Sequence, residues 1–479
     1  MINKNIISIL LLCLTILLLG ACKDTNWDDH NEITNVDNTQ VLSEKIASQA
    51  NLSVFNGYLK STGYDKLLTS SQNYTVWAPT NEAIAALDPA IVSDQAKLKD
   101  YVANHIALAT YPAVKNSDTL RVELLNKKYG TLKLGTFEEA SLVGTQQYVK
   151  NGVLHVIDKP VVTKQNIWDY MLSSGDAPAQ TTFISTLTSQ VIDSANSPIL
   201  GYNTNGTPYY GPNPVLVTKN TYWLQAADLR TESQQYTFFM LQDPAYNVER
   251  AKLAPYFTGF TQYNLVFDLT VKGLYTQDKL PDTLVSVKGV KVPISKSAIV
   301  KSYRASNGIV YVVSALPFRL KDKIPTFKIE GENPLSFRTT RTVLYRTKLD
   351  NLGVTFRDVE VYNHGVAEFY INYYKATLPK VKYKVYARAI SGLAGDSQVA
   401  AFTQRFFIYN NITSTPTTPV YDLFYTHLVS PLNYAEVYMG EYTPPDYGPL
   451  NLRLTSANST SVNVNTLILD YVRFEPVLP

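Results

Sequence analysis

The chain has 479 residues and a formal net charge of +3 at pH 7. So small an excess, with no basic cluster along the sequence, argues against a nucleic-acid partner. The two cysteines, Cys13 and Cys22, are too few for a cysteine-based zinc or iron–sulfur site, and 34 tyrosines against 18 phenylalanines favour β-rich domains with half-exposed sheet surfaces.

The amino terminus has the pattern of a secretory signal peptide. Lys4 precedes an apolar run over residues 6–19, which is shorter than the roughly 20 residues a membrane span needs. Residues 19–22, Leu-Gly-Ala-Cys, resemble the lipobox of bacterial lipoproteins. The resemblance implies that residues 1–21 are removed and that Cys22 is acylated. An ordinary secretory signal with an incidental cysteine is the alternative.

Residues 22–39 are polar and acidic, and their composition predicts an unfolded tether. They resemble the short acidic signals that follow the lipid-bearing cysteine in surface-exposed lipoproteins of Gram-negative gut-type bacteria. The resemblance implies a lipid-anchored protein of the outer membrane, exposed at the cell surface.

Two motifs define the first predicted domain, residues 40–163. Residues 74–83 combine a β-branched and aromatic strand with Ala-Pro and a Thr80 or Asn81 helix cap, and residues 151–158 begin with the hairpin signal Asn-Gly. These motifs, with His105 between them, resemble the landmarks of the fasciclin (FAS1) domain, although Asn104 stands where tyrosine is usual. The resemblance implies a compact domain of strands and short helices that serves adhesion or binding.

A divergent second copy is predicted over residues 164–328. Residues 235–245 align with the first motif and residues 307–313 with the second. Tyr74 and Asn151 are 77 positions apart (151 − 74), and Tyr236 and Asn307 are 71 apart (307 − 236), so the spacing nearly repeats. Residues 194–214, rich in Gly, Asn, Pro and Ser, are predicted to form a long loop.

After residue 334 the sequence changes to short strands separated by turn residues, without helical periodicity. This pattern predicts an all-β sandwich or jelly roll over residues 335–479. Residues 467–476 resemble the last strand of galactose-binding-like sandwiches. The expected fold class is therefore a multidomain α+β and all-β chain, in which two FAS1-like domains precede a galactose-binding-like β-sandwich.

The sequence carries no catalytic or cofactor motif that we recognise. It lacks a Gly-rich phosphate loop, a His-Glu-x-x-His helix and a Gly-x-Ser-x-Gly elbow, and its five histidines show no metal-ligand spacing. We therefore expect no enzyme, cofactor or metal. A glycosidase is the remaining enzymatic alternative, because two carboxylates without a motif suffice for it.

Candidate binding residues come from both ends of the folded chain. His105 either contacts a ligand or is a buried histidine that satisfies backbone groups. Between residues 421 and 447, six tyrosines alternate with acids and amides, a composition suited to the apolar faces and hydroxyls of sugars. They could equally be loop tyrosines that pack the ends of a sandwich. The candidates in this region are Tyr442, Tyr447, Asp446 and Tyr438.

Lipidated fasciclin proteins with a sandwich domain resemble accessory subunits of SusC/SusD-type outer-membrane nutrient importers. The resemblance implies a non-catalytic surface protein that binds a glycan, or a peptide, for such an importer. An adhesin acting through its FAS1 domains and a ligand-free structural subunit of the importer are the alternatives.

Overall fold

The computed structural model describes residues 36–37, 39–409 and 422–479. The predicted signal peptide, Cys22 and most of the acidic tether lie outside the described residues. The chain divides into two compact units. The first extends to Asn166 and includes Thr231–Ser233, and the second comprises Ile167–Arg230 and Gln234–Pro479.

The first unit is a sheet flanked by short helices. Its described strands run in the order β3-β2-β8-β7-β6-β5-β4, with β1 beside β7. They are β1 (Val36–Asp37), β2 (Tyr74–Pro79), β3 (Ile106–Ala107), β4 (Leu120–Glu123), β5 (Tyr129–Lys133), β6 (Thr136–Phe137), β7 (Ala140–Val149) and β8 (Gly152–Ile157). The helices are Leu42–Ala47, Ser53–Thr62, Tyr64–Leu67, Asn81–Ile84, Pro89–Val92 and Gln95–Ala103, with a 3₁₀ turn at Ala50–Leu52.

The two predicted motifs form neighbouring strands of this sheet. Strand β2 pairs in parallel with β8, beginning at Tyr74 and Gly152. The Thr80 hydroxyl caps the next helix by accepting a hydrogen bond from the Ala83 amide at 3.1 Å, as the sequence indicates. The end of the predicted tether is not free, because β1 pairs in parallel with the end of β7.

The second unit begins with a region that repeats this arrangement. Its strands run β14-β13-β18-β17, where β13 and β18 are parallel from Tyr236 and Gly308 onward. The strands of the region are β9 (Thr188–Ile192), β10 (Ile199–Tyr202), β11 (Pro208–Tyr210), β12 (Leu216–Asn220), β13 (Tyr236–Leu241), β14 (Thr270–Lys272), β15 (Thr283–Val285), β16 (Lys291–Pro293), β17 (Ile299–Ala305) and β18 (Gly308–Val313). The helices are Ile167–Ser173, Pro178–Thr186, Thr221–Gln225, Asp243–Leu253, Thr261–Val266 and Leu320–Lys323, with 3₁₀ turns at Gln277–Lys279 and Lys296–Ala298.

The Asn-Gly pairs have the same role in both regions. Asn151 accepts a hydrogen bond from the Leu42 amide at 2.8 Å, and Asn307 accepts one from the Ile167 amide at 2.9 Å. A side chain on Gly152 would place its Cβ 1.9 Å from the Tyr74 carbonyl oxygen, so only glycine lets the parallel strands approach this closely. Each Asn-Gly pair thus closes a hairpin, and its asparagine side chain binds the first residue of a helix that precedes the strands in the sequence.

The predicted loop over residues 194–214 is a projecting arm rather than an irregular segment. Strands β9 and β12 pair from Thr188 with Asn220 to Ile192 with Leu216, and β10 and β11 form a second hairpin beyond them. The glycines and prolines of this segment therefore lie in and beside two-stranded ladders, which short-range turn signals alone do not distinguish from a loop.

The rest of the second unit is a β-sandwich. Its strands are β19 (Phe327–Glu330), β20 (Ser336–Phe337), β21 (Leu344–Leu349), β22 (Thr355–Val361), β23 (Tyr370–Leu378), β24 (Tyr383–Arg388), β25 (Phe402–Tyr409), β26 (Leu423–Val429), β27 (Val437–Tyr442), β28 (Gly448–Ser456), β29 (Leu467–Leu469) and β30 (Tyr471–Pro476). In the described residues they form a four-stranded sheet β19-β30-β24-β27, a five-stranded sheet β20-β23-β28-β25-β26 and a three-stranded sheet β21-β22-β29.

The two larger sheets bury one face each in a shared core. Strand β25 alternates between buried and half-buried residues along its whole length, and β24 alternates as the sequence predicts. Phe327 of β19 stacks on Phe474 at 4.9 Å. The sandwich therefore begins at Phe327, before the expected boundary at residue 335, because β19 pairs with the last strand of the chain.

A buried ionic cluster joins the three-stranded sheet to the loop between β24 and β25. Arg346 lies 2.6 Å from Asp358, 2.7 Å from Glu360 and 3.3 Å from Asp396. Lys348 lies 3.1 Å from Asp358 and 3.0 Å from Asp396. Two cations thus hold three buried carboxylates, and removing either cation would leave uncompensated charge in the interior.

Candidate functional site

Of the four candidate residues near the end of the chain, two are packed against other side chains. Tyr442 is 2% exposed and faces the sandwich core. The ring of Tyr447 lies 5.4 Å from both Phe257 and Phe260, so it connects the sandwich to the preceding region of the same unit. Asp446 is exposed beside it, and its carboxylate accepts a hydrogen bond from the Tyr447 amide at 2.9 Å. Tyr442 therefore offers no surface to a ligand.

Tyr438 lies on the opposite face of the same strand and is 47% exposed. A register shift in the pairing of β24 with β27 separates it from Tyr442, because Val385 pairs with Gly440 while the next residue, Tyr386, pairs with Tyr438. This bulge changes which residues point outward. The four candidates therefore do not form one surface, and Tyr438 is the one on the open face of the sheet.

His105 lies in the interior of the first unit, and its ring is 0% exposed. Its Nδ1 lies 2.8 Å from the Tyr101 carbonyl oxygen, and its Nε2 accepts a hydrogen bond from the Val161 amide at 3.3 Å. A carbonyl only accepts and an amide only donates, so the ring carries its proton on Nδ1. Burial lowers the pKa of His105 to about 4. The ring satisfies backbone groups, which is the structural alternative that the sequence left open.

Around Tyr438, the outward side of the four-stranded sheet carries a set of interlocked aromatic and charged side chains. We call this set the tyrosine face: Tyr386, Tyr438, Tyr471, Arg473 and Glu436. Tyr438 packs beside Tyr386 with ring centroids 5.4 Å apart, and the Arg473 guanidinium lies 4.2 Å from the centre of the Tyr386 ring. Glu436 accepts hydrogen bonds from Arg473 at 2.6 Å and from the Tyr471 hydroxyl at 2.8 Å.

The charges of the tyrosine face are mutually compensated and fixed. The hydrogen bond from Arg473 lowers the pKa of Glu436, so this carboxylate is ionised at neutral pH. Lys328 adds a second cation–π contact, 3.5 Å from the centre of the Tyr471 ring. Ionic and cation–π contacts therefore restrain Tyr386 and Tyr471, which limits the freedom that these two side chains would lose on binding a ligand.

A cleft of about 320 Å³ adjoins the tyrosine face at Tyr471. Its lining combines charged groups of both signs with two rings: Lys328, Glu330, Glu332, Arg357, Arg388, Asp470, Phe356 and Tyr471. Arg388 donates hydrogen bonds to Asp470 at 2.8 Å and to Asp350 at 3.0 Å. Burial raises the pKa of Asp470 to about 6 despite the nearby guanidinium.

The face and the cleft together suit a polar ligand with apolar patches. The exposed ring of Tyr438 can cover an apolar C–H surface. The carboxylates and guanidinium groups of the cleft can accept from and donate to hydroxyl groups through charge-assisted hydrogen bonds. The volume of the cleft is at the lower end of the range for small-molecule sites.

Tyr438 is a candidate on sequence grounds, whereas its neighbours on the tyrosine face are not. The alternation over residues 382–388 places Tyr386 on the wet face of its strand, and the same alternation along β30 exposes Arg473. These local signals identify outward residues. The residues of the tyrosine face come together because β24 pairs with both β27 and β30. These pairings join residues up to about 90 positions apart, such as Tyr386 and Arg473 (473 − 386 = 87). No local pattern in the sequence encodes them.

Two further observations concern the described part of the chain only. Within residues 36–37, 39–409 and 422–479, no group of three or more histidine, cysteine, aspartate or glutamate side chains is arranged to hold a metal ion. Over the same residues, no helix has both the length and the apolar character needed to cross a bilayer.

Residues 50–163 match the family model of the fasciclin domain. The match contains both motifs of the parallel strand pair and His105, and lies entirely within the first unit. The chain thus contains a fasciclin domain, as the sequence motifs indicate. No curated protein matches the chain.

Three solved structures illustrate what this chain is similar to. A FAS1 domain pair of the insect cell adhesion molecule fasciclin I is 13% identical, with 57% of this chain and 99% of that chain covered and a TM-score of 0.23. The CBM36-1 domain of a multidomain xylanase from the hindgut metagenome of Trinervitermes trinervoides is 10% identical, with 32% and 99% covered and a TM-score of 0.20. A family 6 module of Clostridium stercorarium in complex with cellobiose is 10% identical, with 32% and 94% covered and a TM-score of 0.20.

Proposed function

We propose that this chain is a non-catalytic, lipid-anchored protein of the outer cell surface that binds a glycan through the tyrosine face, as an accessory subunit of a SusC/SusD-type importer. Residues 164–328 serve in it as a divergent second fasciclin domain, and the lipid on Cys22 attaches the chain to the membrane. The observation that carries the binding function is the exposed ring of Tyr438, which packs beside Tyr386 on a face that meets a charged cleft at Tyr471.

The support is chemical. Tyr438 contacts the Tyr386 ring, and 47% of its surface is nevertheless exposed to solvent. Arg473, which is paired with Glu436, lies against the Tyr386 ring and restrains it. An exposed aromatic plate, rigid support and adjacent hydrogen-bonding groups are the features that give high affinity per residue at binding sites.

The test is affinity electrophoresis of the purified chain in gels that contain arabinoxylan, galactomannan or pectin. Tyr438→Ala should weaken retention by the retarding polysaccharide about tenfold, since losing an anchoring aromatic contact costs over ~1 kcal/mol. Tyr345→Ala is the matched control, because Tyr345 is also 47% exposed and lies in the three-stranded sheet of the same sandwich. Equal retention of the two variants would contradict the assignment.

The projecting arm favours the structural alternative, in which the chain docks on a protein subunit of the importer. Seven of its large apolar residues are between 42% and 65% exposed: Ile192, Ile199, Leu200, Tyr202, Tyr209, Val215 and Leu216. Over residues 188–220 the charged side chains are Asp193 and Lys219. Two-stranded hairpins are marginally stable alone in water, so a nearly uncharged and apolar arm is suited to an apolar protein surface.

Replacing Leu200 and Tyr202 by serine should abolish co-purification with the importer subunits. Val248→Ser is the control for the loss of an apolar surface residue. Val248 is 65% exposed on the helix Asp243–Leu253. If the arm variant still co-purifies at the wild-type ratio, the docking function of the arm is excluded.

A further inference from the structure

The fasciclin domain contains a cleft that the proposed glycan site does not use. Its volume is about 390 Å³, within the range for small-molecule sites. It lies between the helices Pro89–Val92 and Gln95–Ala103 and the segment that follows β8. Apolar contacts dominate its lining, through Ile91, Ala96 and Val162.

One wall of the cleft is Tyr101, which is 1% exposed. Its hydroxyl has no hydrogen-bond partner among the described residues. The backbone of Tyr101 is satisfied, because its carbonyl oxygen accepts from His105 at 2.8 Å. An unpaired buried hydroxyl is destabilising, and such groups in native structures have a ligand, a water or a functional reason.

The rim of the cleft carries compensating charges. Lys97 and Asp100 lie one helical turn apart on the same helix, and both line the cleft. Lys97 makes only a long contact, 3.9 Å, with the Asp94 carboxylate. With one charge of each sign at the rim, the cleft does not favour an anion over a cation. Apart from these two charged residues, its lining consists of the apolar side chains and of Tyr101 and Thr163, which each carry a hydroxyl group.

We propose that this cleft binds a small, uncharged and mostly apolar molecule whose carbonyl or ether oxygen accepts a hydrogen bond from the Tyr101 hydroxyl. The rim side chains that must yield for entry are Lys97 and the 46% exposed Val162. Side-chain rearrangements of this kind are common on binding even where the backbone stays fixed. This site is separate from the tyrosine face and does not depend on glycan binding.

The test uses two probes of nearly equal shape on the purified full chain. Acetophenone has a carbonyl oxygen where α-methylstyrene has a methylene group, and ligand-observed NMR titration measures both affinities. Acetophenone should bind the wild type, and Tyr101→Phe should weaken it about three- to tenfold, the effect of one lost hydrogen bond. The affinity for α-methylstyrene should stay the same in both proteins.

Two further variants separate binding from folding. Ala96→Trp fills the cleft from an exposed position on the helix surface and should abolish the binding of both probes. Tyr64→Phe removes a hydroxyl from a half-buried tyrosine of the same domain that does not line the cleft, and it should leave both affinities unchanged. No binding to the wild type, equal acetophenone affinity in the Tyr101→Phe variant, or binding that survives Ala96→Trp would each overturn the proposal.

Discussion

The side chain of Asn151 connects three parts of the first unit. Its removal tests whether the Asn-Gly motif stabilises long-range packing in addition to forming a turn. It accepts from the Leu42 amide at 2.8 Å and donates to the carbonyl oxygens of Leu68 at 2.8 Å and Ser70 at 2.9 Å. Leu42 and Leu68 are both 0% exposed. In an Asn151→Ala variant their backbone groups would stay buried without a partner, whereas exposed Ser70 could bond to water.

The expected loss follows from these partners. A buried polar group left unsatisfied costs about 1–3 kcal/mol, so the two buried groups together cost ~4 kcal/mol as a central value. Converted at about 1.4 kcal/mol per tenfold change, this is roughly a thousandfold increase in the local opening equilibrium. The loss should be confined to the first unit, because all three partners belong to it.

Hydrogen exchange followed by mass spectrometry measures the opening of each region within one sample. Asn151→Ala should accelerate exchange in peptides that cover β2 and β8, and leave those that cover β13 and β18 unchanged. Asn307→Ala should give the reverse pattern, because its side chain accepts from the Ile167 amide and donates to the Leu229 carbonyl at 2.7 Å. Asn116→Ala, at an exposed loop position, is the neutral control. Equal acceleration in both regions, or none, would refute the reasoning.

Three further predictions concern buried charge and the anchor. Lys323→Met leaves the Asp268 carboxylate, 2.5 Å from the lost ammonium group, buried without its counter-ion and should destabilise the second unit by about 3 kcal/mol in thermal unfolding. Burial raises the pKa of Asp470 from 3.8 to about 6, so the folded state binds this proton more tightly than the unfolded state. The free energy of unfolding should therefore decrease as the pH rises through that interval, and Asp470→Asn should remove this component. Cys22→Ser should move the chain from the membrane fraction to the soluble fraction, because acylation needs the thiol.

Each of these predictions has a distinct contrary result. The Lys323→Met prediction fails if a Lys321→Met variant, altered at the neighbouring position, lowers the melting temperature as much. Identical pH profiles for the Asp470→Asn variant and the wild type would show that the carboxyl does not titrate differently on folding. Membrane partition of Cys22→Ser at the wild-type level would exclude the lipid anchor.

Local chemistry was sufficient to predict the strands at residues 74–79, 152–157, 236–241 and 308–313, both Asn-Gly hairpins and the β-rich character of the chain after residue 334. The strand at residues 74–79 ends at its proline, and the Asn-Gly pairs at 151 and 307 close hairpins, because β-propensity and turn geometry are set by a few adjacent residues. The alternation of β24 also identified its wet face correctly. The fasciclin domain followed from motifs of this local kind.

Only the tertiary structure decided which aromatic residues are accessible. Tyr438 and Tyr442 are four positions apart, so strict alternation would put them on one face, but the bulge near Gly440 turns one outward and the other into the core. Tyr447 is half-buried against Phe257 and Phe260, which are far away in the sequence. Side-chain type and spacing fix what a residue can do, while strand register and long-range packing fix whether a ligand can reach it.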